Sequence, residues 1–450
     1  MEITAQSFIN QLYLAADVCK EPREGKNLHY SLIQSILGAF AVFVTQSPSF
    51  LYFQQMMEAR TGTNNAKSLF GIKKIPGSDQ IRDTLDLLTP EVFLPVFRWN
   101  LETLIEHGGI EEFKSELGYY LLIDGTQTHS SDEIYCKNCL TKTDKKGNIH
   151  YYHSVLTPVL AKPGGKYVLP LMPEFIQTDD GSEKQGCEIN AGKRWIKTQG
   201  RYYAEKLGAT GQKVICLGDD LYSRQPYILS MGPMQFILVC KRESHKVLYR
   251  WLDNLREADQ PNAMHVMQQC TVKGHLITTY KYANHVPLNG RKDTLFVNWC
   301  SIEIRNKEDH LVYHNAFVTY IPITKDNITA VTTAGRTRWK IENENNNTLK
   351  TKGYHFEHNY GHGKEQLSSV LTTLIILAFL LHIMLELFCK LYANLLILTT
   401  KQKAHEGIRV LTQIFEFYSW EHLFSGMAYG LSHKQPFPYG ERPTSGTGFG

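Results

Sequence analysis

The sequence has too few cysteines, too widely spread, for a disulfide framework. Nine cysteines, an odd number, are scattered over 450 residues, whereas disulfide-stabilised domains carry an even number at close spacing. The start, Met1-Glu2-Ile3-Thr4, also lacks the basic segment and apolar run of a secretory signal. From both absences we expect a protein that works in a reducing cytoplasm.

Uncharged apolar runs long enough to cross a bilayer are also scarce. Residues 367–385 form such a run, without Lys, Arg, Asp or Glu. The run contains Ser, Thr and His residues, Glu386 follows it directly, and no basic cluster flanks it closely. We therefore predict a buried core helix, with a membrane span as the alternative.

The chain carries little net charge. A formal charge of +4 is too small to indicate nucleic-acid binding by itself. The distribution is more informative, because residues 331–364 contain six Lys or Arg and three Glu, an excess of three positive charges. A locally basic face is expected where a protein contacts a phosphate backbone.

Apolar patterning predicts an α/β protein: a helical N-terminal region, an α/β core with a β-rich insertion, and a C-terminal helix with an irregular tail. The helical N-terminal region is residues 1–115, and the C-terminal region is residues 401–450. The core comprises residues 116–230 and 326–400, and the β-rich insertion between them is residues 231–325. A basic stretch at residues 60–84 could bind DNA. We favour solvated loop charges there, because no helix-turn-helix motif is recognisable.

Three carboxylates match the ligand set of a two-metal phosphoryl-transfer site. Asp124 and Asp219 each end a short apolar run predicted to be a buried strand, and Glu342 stands among cations and amides on a predicted helix. Acids at strand ends face the crevice where α/β sheets bind ligands. Carboxylate oxygens suit Mg²⁺ or Mn²⁺, and two such ions can act on a phosphodiester.

Neighbouring acids leave two assignments open. Successive strand residues point to opposite faces, so Asp219 and Asp220 are expected to have different roles, and we favour Asp219 as the ligand. On a helical wheel Glu342 shares a stripe with Arg338, whereas Glu344 lies about 200° away and is predicted to face solvent. Glu342 is therefore the favoured ligand on the helix.

These motifs resemble those of bacterial insertion-sequence transposases of the DDE superfamily, which have a ribonuclease H-like core. The resemblance covers about residues 30–400. It is carried by Ile123-Asp124-Gly125-Thr126, Leu217-Gly218-Asp219-Asp220-Leu221-Tyr222, and Arg338-Trp339-Lys340-Ile341-Glu342 through Leu349-Lys350. Related enzymes often carry Tyr where this chain has Gly335. The long interval before Glu342 matches a β-rich insertion that many such transposases carry.

The resemblance implies a ribonuclease H-like mixed sheet and a metal-dependent DNA transposase. Such an enzyme would act on element terminal repeats and target DNA, as a homodimer on paired ends, without a membrane partner. Asp124 and Asp219 would hold one metal ion, and Asp124 with Glu342 the other. The alternatives are a DNA-binding remnant that no longer cuts, and a metal-dependent nuclease without strand transfer.

The resemblance also implies DNA contacts outside the acidic triad. Arg338 would hold a phosphate through two parallel hydrogen bonds, and Lys350 would attract a phosphate as a point charge. Trp299 or Trp339 could stack on an unpaired base. For each tryptophan, packing in the core is the interpretation that we favour.

A second candidate metal site begins at a Cys-x-x-Cys motif formed by Cys136 and Cys139. His150 or His153 follows, and Cys187 lies further along the chain. Four nitrogen and sulfur ligands, with His153 and Cys187 completing the set, would form a structural Zn²⁺ site. Buried thiols that happen to lie near one another are the alternative.

Overall fold

The structure, a computed structural model, describes residues 3–23, 29–181, 184–257, 264–270 and 275–432. It confirms the predicted mixed α/β class. The chain forms two units, a helical unit of Met1–Leu88 with Leu381–Gly450 and an α/β unit of Thr89–Leu380. These boundaries differ from the predicted ones at residues 115 and 400. Residues 89–115 belong to the α/β unit, where Glu102 pairs with Lys206 at 2.6 Å.

Helices occur in both units of the chain. They are α1 (Ala5–Asp17), α2 (Leu32–Val44), α3 (Phe50–Glu58), α4 (Arg60–Phe70), α5 (Ser78–Leu85), α6 (Leu94–Glu106), α7 (Lys184–Trp195), α8 (Arg201–Gly208), α9 (Gln225–Ser230), α10 (Lys246–Glu257), α11 (Ile328–Arg336), α12 (Asn347–Thr351), α13 (Leu367–Phe388), α14 (Lys390–Leu398), α15 (Lys401–Ile414) and α16 (Trp420–Ser432). A π-helical turn, Ile341–Asn346, runs directly into α12.

The described strands all belong to the α/β unit. They are β1 (Lys114–Ser115), β2 (Gly118–Leu122), β3 (Gly125–Ser131), β4 (Leu140–Thr143), β5 (Ile149–Leu156), β6 (Val159–Ala161), β7 (Val168–Pro170), β8 (Glu174–Phe175), β9 (Val214–Gly218), β10 (Gln235–Val239), β11 (His265–Cys270), β12 (Leu276–Pro287), β13 (Phe296–Asn306) and β14 (Leu311–Thr319).

A mixed sheet organises the α/β unit, with strand order β11-β12-β13-β14-β10-β9-β2-β6-β7. β9 runs parallel to both β2 and β10. β6 pairs antiparallel with β2 and β7. Every residue of β2 and β9 is buried, as expected for apolar strands covered on both faces. The carboxyl ends of β2 and β9 therefore meet at one edge of the sheet.

The predicted β-rich insertion differs from the structure at its start. Residues 235–239, predicted as part of the insertion, form β10 and pair in parallel with β9 in the core of the sheet. β11 to β14 are antiparallel, as predicted, but they extend the same sheet through the β10–β14 pair. A helix, α10, also interrupts this region.

A smaller sheet has the order β3-β5-β4, with β8 on β5. Its first strand begins at Gly125, directly after Asp124. The loop between β3 and β4 carries Cys136 and Cys139, and His153 lies on β5. Asp124 and the Cys-x-x-Cys pair therefore both lie within a few residues of a strand of this sheet.

The long apolar run forms α13, and the prediction of a buried helix is confirmed. Among the described residues, α13 is the helix long and apolar enough to cross a membrane. In its most apolar window 94% of the residues are buried. The core helix of a soluble protein has this character.

Asn65 links the two chain segments of the helical unit. Its Nδ2 donates to the carbonyl oxygens of Thr412 (2.6 Å) and Phe415 (2.7 Å), and its Oδ1 accepts from Phe417 N (2.8 Å).

Residues 60–84, predicted as a basic loop, are mostly helical, because they form α4 and α5.

Candidate functional site

The sheet brings Asp124 and Asp219 to the same edge. Leu122 of β2 lies opposite Leu217 of β9 in the parallel ladder. Asp219 follows β9 directly and Asp124 lies two residues beyond β2. Two apolar strands that end in register in this way position both aspartates at the carboxyl edge, as predicted from the strand-end pattern.

Arg338 connects Asp124 to Glu342. Its Nη1 lies 2.6 Å from Glu342 Oε1 and 3.8 Å from Asp124 Oδ2. Burial alone would lower the pKa of Arg338, but Glu342, Asp124 and Asp219 together raise it. The guanidinium therefore stays charged within a group of carboxylates.

The site carries more negative than positive charge around Asp124. Burial is the main cause that raises the pKa of Asp124 to about 7. Arg338 opposes the increase, whereas Glu188, Asp219 and Glu342 add to it. Burial also raises the pKa of Asp219, against a hydrogen bond from Leu221 N and the charge of Arg338. Such a group of acids would be stabilised by further positive charge.

Asp220, the alternative to Asp219, has partners of its own. Its Oδ1 accepts a hydrogen bond from Lys241 N at 2.6 Å and lies 3.6 Å from His245 Nε2. The charge of Asp220 helps to raise the pKa of Asp219, but its own contacts are with residues of the loop after β10. The adjacent aspartates therefore have different surroundings.

Glu344, the alternative to Glu342, is predicted to face solvent, but in the structure it is half-buried. Its carboxylate pairs with Lys340, whose Nζ also donates to Gly165 O. The side chain of Glu344 is 31% exposed, against 50% for Glu342. The segment is π-helical, so a wheel drawn for an α-helix does not describe it.

Glu188 is an acidic residue that the sequence patterns did not single out. It lies on α7, and its Oε1 accepts a hydrogen bond from Tyr222 Oη at 2.8 Å. Gly125 allows its close approach, because a Cβ at Gly125 would lie 2.8 Å from the Glu188 carboxyl carbon. The glycine directly after Asp124 was the one local signal of this contact.

A short hydrogen-bonded path positions the Glu342 segment. Thr157 N donates to Asp124 O at 3.1 Å. Thr157 Oγ1 donates to Asn346 Oδ1 at 2.7 Å, and Asn345 Nδ2 donates to the same oxygen at 3.0 Å. The asparagine run, a poor helix former, thus attaches the π-helical turn to the chain beside Asp124.

Gly335 lies at a position too crowded for a larger side chain. A Cβ at this buried position of α11 would lie 2.5 Å from the ring of Phe317 on β14. Phe317 is fully buried. A tyrosine side chain therefore has no space at this position of the chain.

The residues predicted to bind DNA have different environments. Trp299 is only 2% exposed, and its indole Nε1 lies 3.4 Å from Tyr249 Oη. Its ring packs in the core, so core packing, the favoured interpretation, is confirmed for Trp299, and the alternative of base stacking is contradicted. Trp339 is 48% exposed, so core packing, the favoured interpretation, is wrong for this residue. Lys350 Nζ pairs with Glu357 Oε1 at 2.8 Å.

A basic groove borders the chain that follows Asp219. It encloses a cavity of about 540 Å³. Its charged lining residues are Lys193, Arg224, Lys246 and Arg291, together with Glu243. Four cations against one acid make this groove attractive to anions.

A Cys/His cluster forms apart from the acidic site. Its donor atoms, from Cys136, Cys139, His153 and His362, all lie within 4.8 Å of one another and could hold a metal ion. A hydrogen bond with Cys139 is the main cause that holds the pKa of the Cys136 thiol well below its usual range. Hydrogen bonds with His153 and His362 lower this pKa further. His362 was missed because it lies 209 residues after His153.

The predicted fourth ligand, Cys187, is not part of this cluster. Its thiol donates to Gly181 O at 2.9 Å. Of the two histidines considered, His153 joins the cluster, whereas His150 pairs with Asp132 and Asp144. The prediction of the Cys-x-x-Cys pair as possible ligands is thus supported, and that of Cys187 is wrong.

Neither a scan against protein-family models nor a search of curated proteins finds a match for this chain.

Proposed function

We propose that the protein is a DNA transposase of the DDE type that cuts and joins element ends by two-metal phosphoryl transfer. The observation that carries the proposal is the gathering of Asp124, Asp219 and Glu342 around Arg338 at one sheet edge. The edge is the one to which the parallel strands β2 and β9 point with their carboxyl ends.

The topology supports a ribonuclease H-like core. β2 has antiparallel strands on one side and parallel strands on the other. This is a mixed sheet of the kind that the resemblance to DDE transposases implies. The antiparallel extension β11–β14 lies in the interval before Glu342, where many such enzymes carry an insertion.

The residues present fit divalent cations by their donor type. Asp124, Asp219 and Glu342 offer carboxylate oxygens, which suit Mg²⁺ or Mn²⁺. Burial first, and the charges of neighbouring acids after it, raise the pKa of Asp124 to about 7, and a bound cation would oppose both effects. Glu342 binds Arg338 in this structure, so holding a cation would require exchange of that ion pair. A pair of bound cations would activate the attacking hydroxyl and stabilise the leaving oxygen.

The chain's own residues would hold the DNA beside these carboxylates. Arg338, freed from Glu342, can form a fork on a phosphate, and Lys350 can supply a point charge. The exposed ring of Trp339 is available to stack on an unpaired base. The basic groove, bordered by Arg224 and Lys246, offers a path for a neighbouring backbone.

The proposal includes the cellular setting. We infer that the enzyme works in the cytoplasm, on element terminal repeats and target DNA, as a homodimer on paired ends. A remnant that binds the ends without cutting, and a nuclease without strand transfer, are the competing functions.

The test is excision in cells of a marker flanked by the DNA ends of the element that encodes this chain. Asp124→Asn, Asp219→Asn and Glu342→Gln keep side-chain shape and remove a charged metal ligand. We expect each to reduce excision at least about 100-fold, as expected when a group needed for metal-assisted chemistry is lost. Asp220→Asn and Glu344→Gln are the matched controls and should retain excision at equal protein levels.

Other results would change the ligand assignment or favour one of the competing functions. Excision that survives Asp219→Asn but not Asp220→Asn would transfer the ligand role to Asp220. Binding of the ends without excision by the unaltered protein would favour the inactive remnant. Excised ends that are never joined to a target would favour the nuclease.

A further inference from the structure

We propose that Cys136, Cys139, His153 and His362 form a structural zinc site that joins the small sheet to the chain following the Glu342 helix. This inference goes beyond the proposed transposase function and does not depend on it. It replaces Cys187 with a histidine that sequence spacing did not indicate.

The distances within the cluster match those around a tetrahedral zinc ion. Zn–S bonds of about 2.3 Å and Zn–N bonds of about 2.0–2.1 Å would separate two sulfurs by about 3.8 Å and a sulfur from a nitrogen by about 3.6 Å. The two Sγ atoms lie 3.9 Å apart. His153 Nε2 lies 3.4 Å from Cys136 Sγ and 3.5 Å from Cys139 Sγ, and His362 Nε2 lies 3.2 Å from Cys139 Sγ.

The sulfur separation also excludes a disulfide. A disulfide bond measures about 2.05 Å, whereas the two sulfurs are 3.9 Å apart. Both cysteines are free thiols in the structure. Two thiols and two imidazoles, held this close without a covalent bond, are arranged as ligands would be.

The donor set and its burial favour zinc in a structural role. Cys139 and His153 are each 6% exposed, and His362 is 8% exposed. Two sulfur and two nitrogen donors suit Zn²⁺, whereas Mg²⁺ and Ca²⁺ prefer oxygen. Four protein ligands leave no position open for water or substrate, which is the arrangement of structural zinc sites.

The cluster joins distant parts of the α/β unit. Cys136 and Cys139 lie between β3 and β4, and His153 lies on β5. His362 comes after α12, which continues from the turn that bears Glu342. Two contacts reinforce this junction, since Lys137 pairs with Glu365 and Asn138 Nδ2 donates to Glu365 O. Zinc would therefore hold together the segments that follow Asp124 and Glu342.

The experiment measures zinc in the full-length chain, purified without a metal-affinity step. We expect about one equivalent per chain in the unaltered protein and less than about a tenth in Cys139→Ser and His362→Ala. Two controls match these changes in chemistry. Cys187→Ser removes a buried thiol and His150→Ala removes an imidazole, and both should retain about one equivalent.

A second measurement uses only the unaltered protein, so it tests the proposal even if the variants fail to fold. The unaltered protein is stripped of metal with a chelator and titrated with Co²⁺, whose absorption reports tetrahedral coordination by thiolate. We expect that signal to saturate at about one equivalent and to disappear when Zn²⁺ is added. Absence of both zinc and the cobalt–thiolate absorption in the unaltered protein would overturn the proposal. Loss of zinc in Cys187→Ser with retention in His362→Ala would overturn the assignment of the fourth ligand.

Discussion

At the scale of single residues, adjacent side chains in this protein have separate tasks. Asp219 contributes to the charge around Asp124. Asp220, its neighbour, accepts a hydrogen bond from Lys241 N and lies near His245. Because the two side chains have different partners, one acid can belong to the site while the next supports the loop after β10.

Two buried histidines of the helical unit make its stability depend on pH. Burial lowers the pKa of His405 to about 3 and that of His382 well below its usual value. Their rings stack at 4.1 Å, Tyr392 Oη lies 2.8 Å from His405 Nε2, and the charge of Lys401 lowers both pKa values further. Both imidazoles are therefore neutral in the folded protein.

The stability that these histidines provide should be lost in mild acid. A folded pKa below the unfolded value of about 6.5 means that the unfolded chain binds protons first, so the stabilisation is present above about pH 6.5 and declines as the pH falls. Between about pH 7 and pH 5 we expect a loss of about 2 kcal/mol in the free energy of unfolding for His405.

Denaturant unfolding at several pH values, followed by a probe in the helical unit, measures this loss. Glutamine cannot titrate. Between pH 7 and pH 5, the free energy of unfolding of His405→Gln should therefore fall by about 2 kcal/mol less than that of the unaltered protein. Equal pH dependence in the two proteins would show that His405 is not kept neutral by burial.

At the scale of elements, the packing of α11 on β14 sets the approach to the site. Gly335 lies against the ring of Phe317 on β14, and Arg338 follows three residues later. Asn346 attaches the next turn of chain to Thr157. The turn that bears Glu342 is thus held at both ends by side-chain packing and hydrogen bonds rather than by helix propensity.

Gly335→Ala tests this packing. An added methyl at 2.5 Å from a buried ring forces the helix or the ring to move, and overpacking of this kind costs about 1–3 kcal/mol. Gly208→Ala, at the exposed end of α8, has no atom within 4 Å of its new Cβ and should stabilise by up to about 1 kcal/mol. Urea unfolding midpoints of the α/β unit should therefore shift in opposite directions. A neutral or stabilising effect of Gly335→Ala would contradict the steric argument.

At the scale of the molecule, charge is divided between an acidic site and a basic groove, although the net charge is only +4. The acidic site suits cations, and the groove suits a phosphate backbone. Lys246 and Arg291 are exposed residues of the groove lining, so they can be changed with little effect on packing.

Removing both groove charges should weaken DNA binding in a salt-dependent manner. For Lys246→Ala with Arg291→Ala, the slope of log affinity against log salt should decrease by about 2, since each lost phosphate contact removes about 0.9. Fluorescence anisotropy with duplex DNA at several salt concentrations measures the slope. Lys145→Ala with Lys146→Ala makes the same charge change in the exposed β4–β5 turn and should leave the slope unaltered. Equal slopes for the two double variants would exclude the groove as a DNA contact.

Features encoded within a few consecutive residues could be predicted from the sequence by itself. Apolar runs ending in Asp124 and Asp219 identified two strand ends, and the uncharged run at residues 367–385 identified a buried helix. The Cys-x-x-Cys pair was likewise recognisable by spacing. In each case the signal is local, because strand and helix periodicity and ligand spacing extend over a few residues.

Only the tertiary structure decided which distant residues meet. It added Glu188 to the surroundings of Asp124, replaced Cys187 with His362, and left Trp339 exposed while burying Trp299. It also made β10 a parallel strand of the core. These contacts join residues tens to hundreds of positions apart, so they depend on the path of the whole chain and on close packing, which no local pattern specifies.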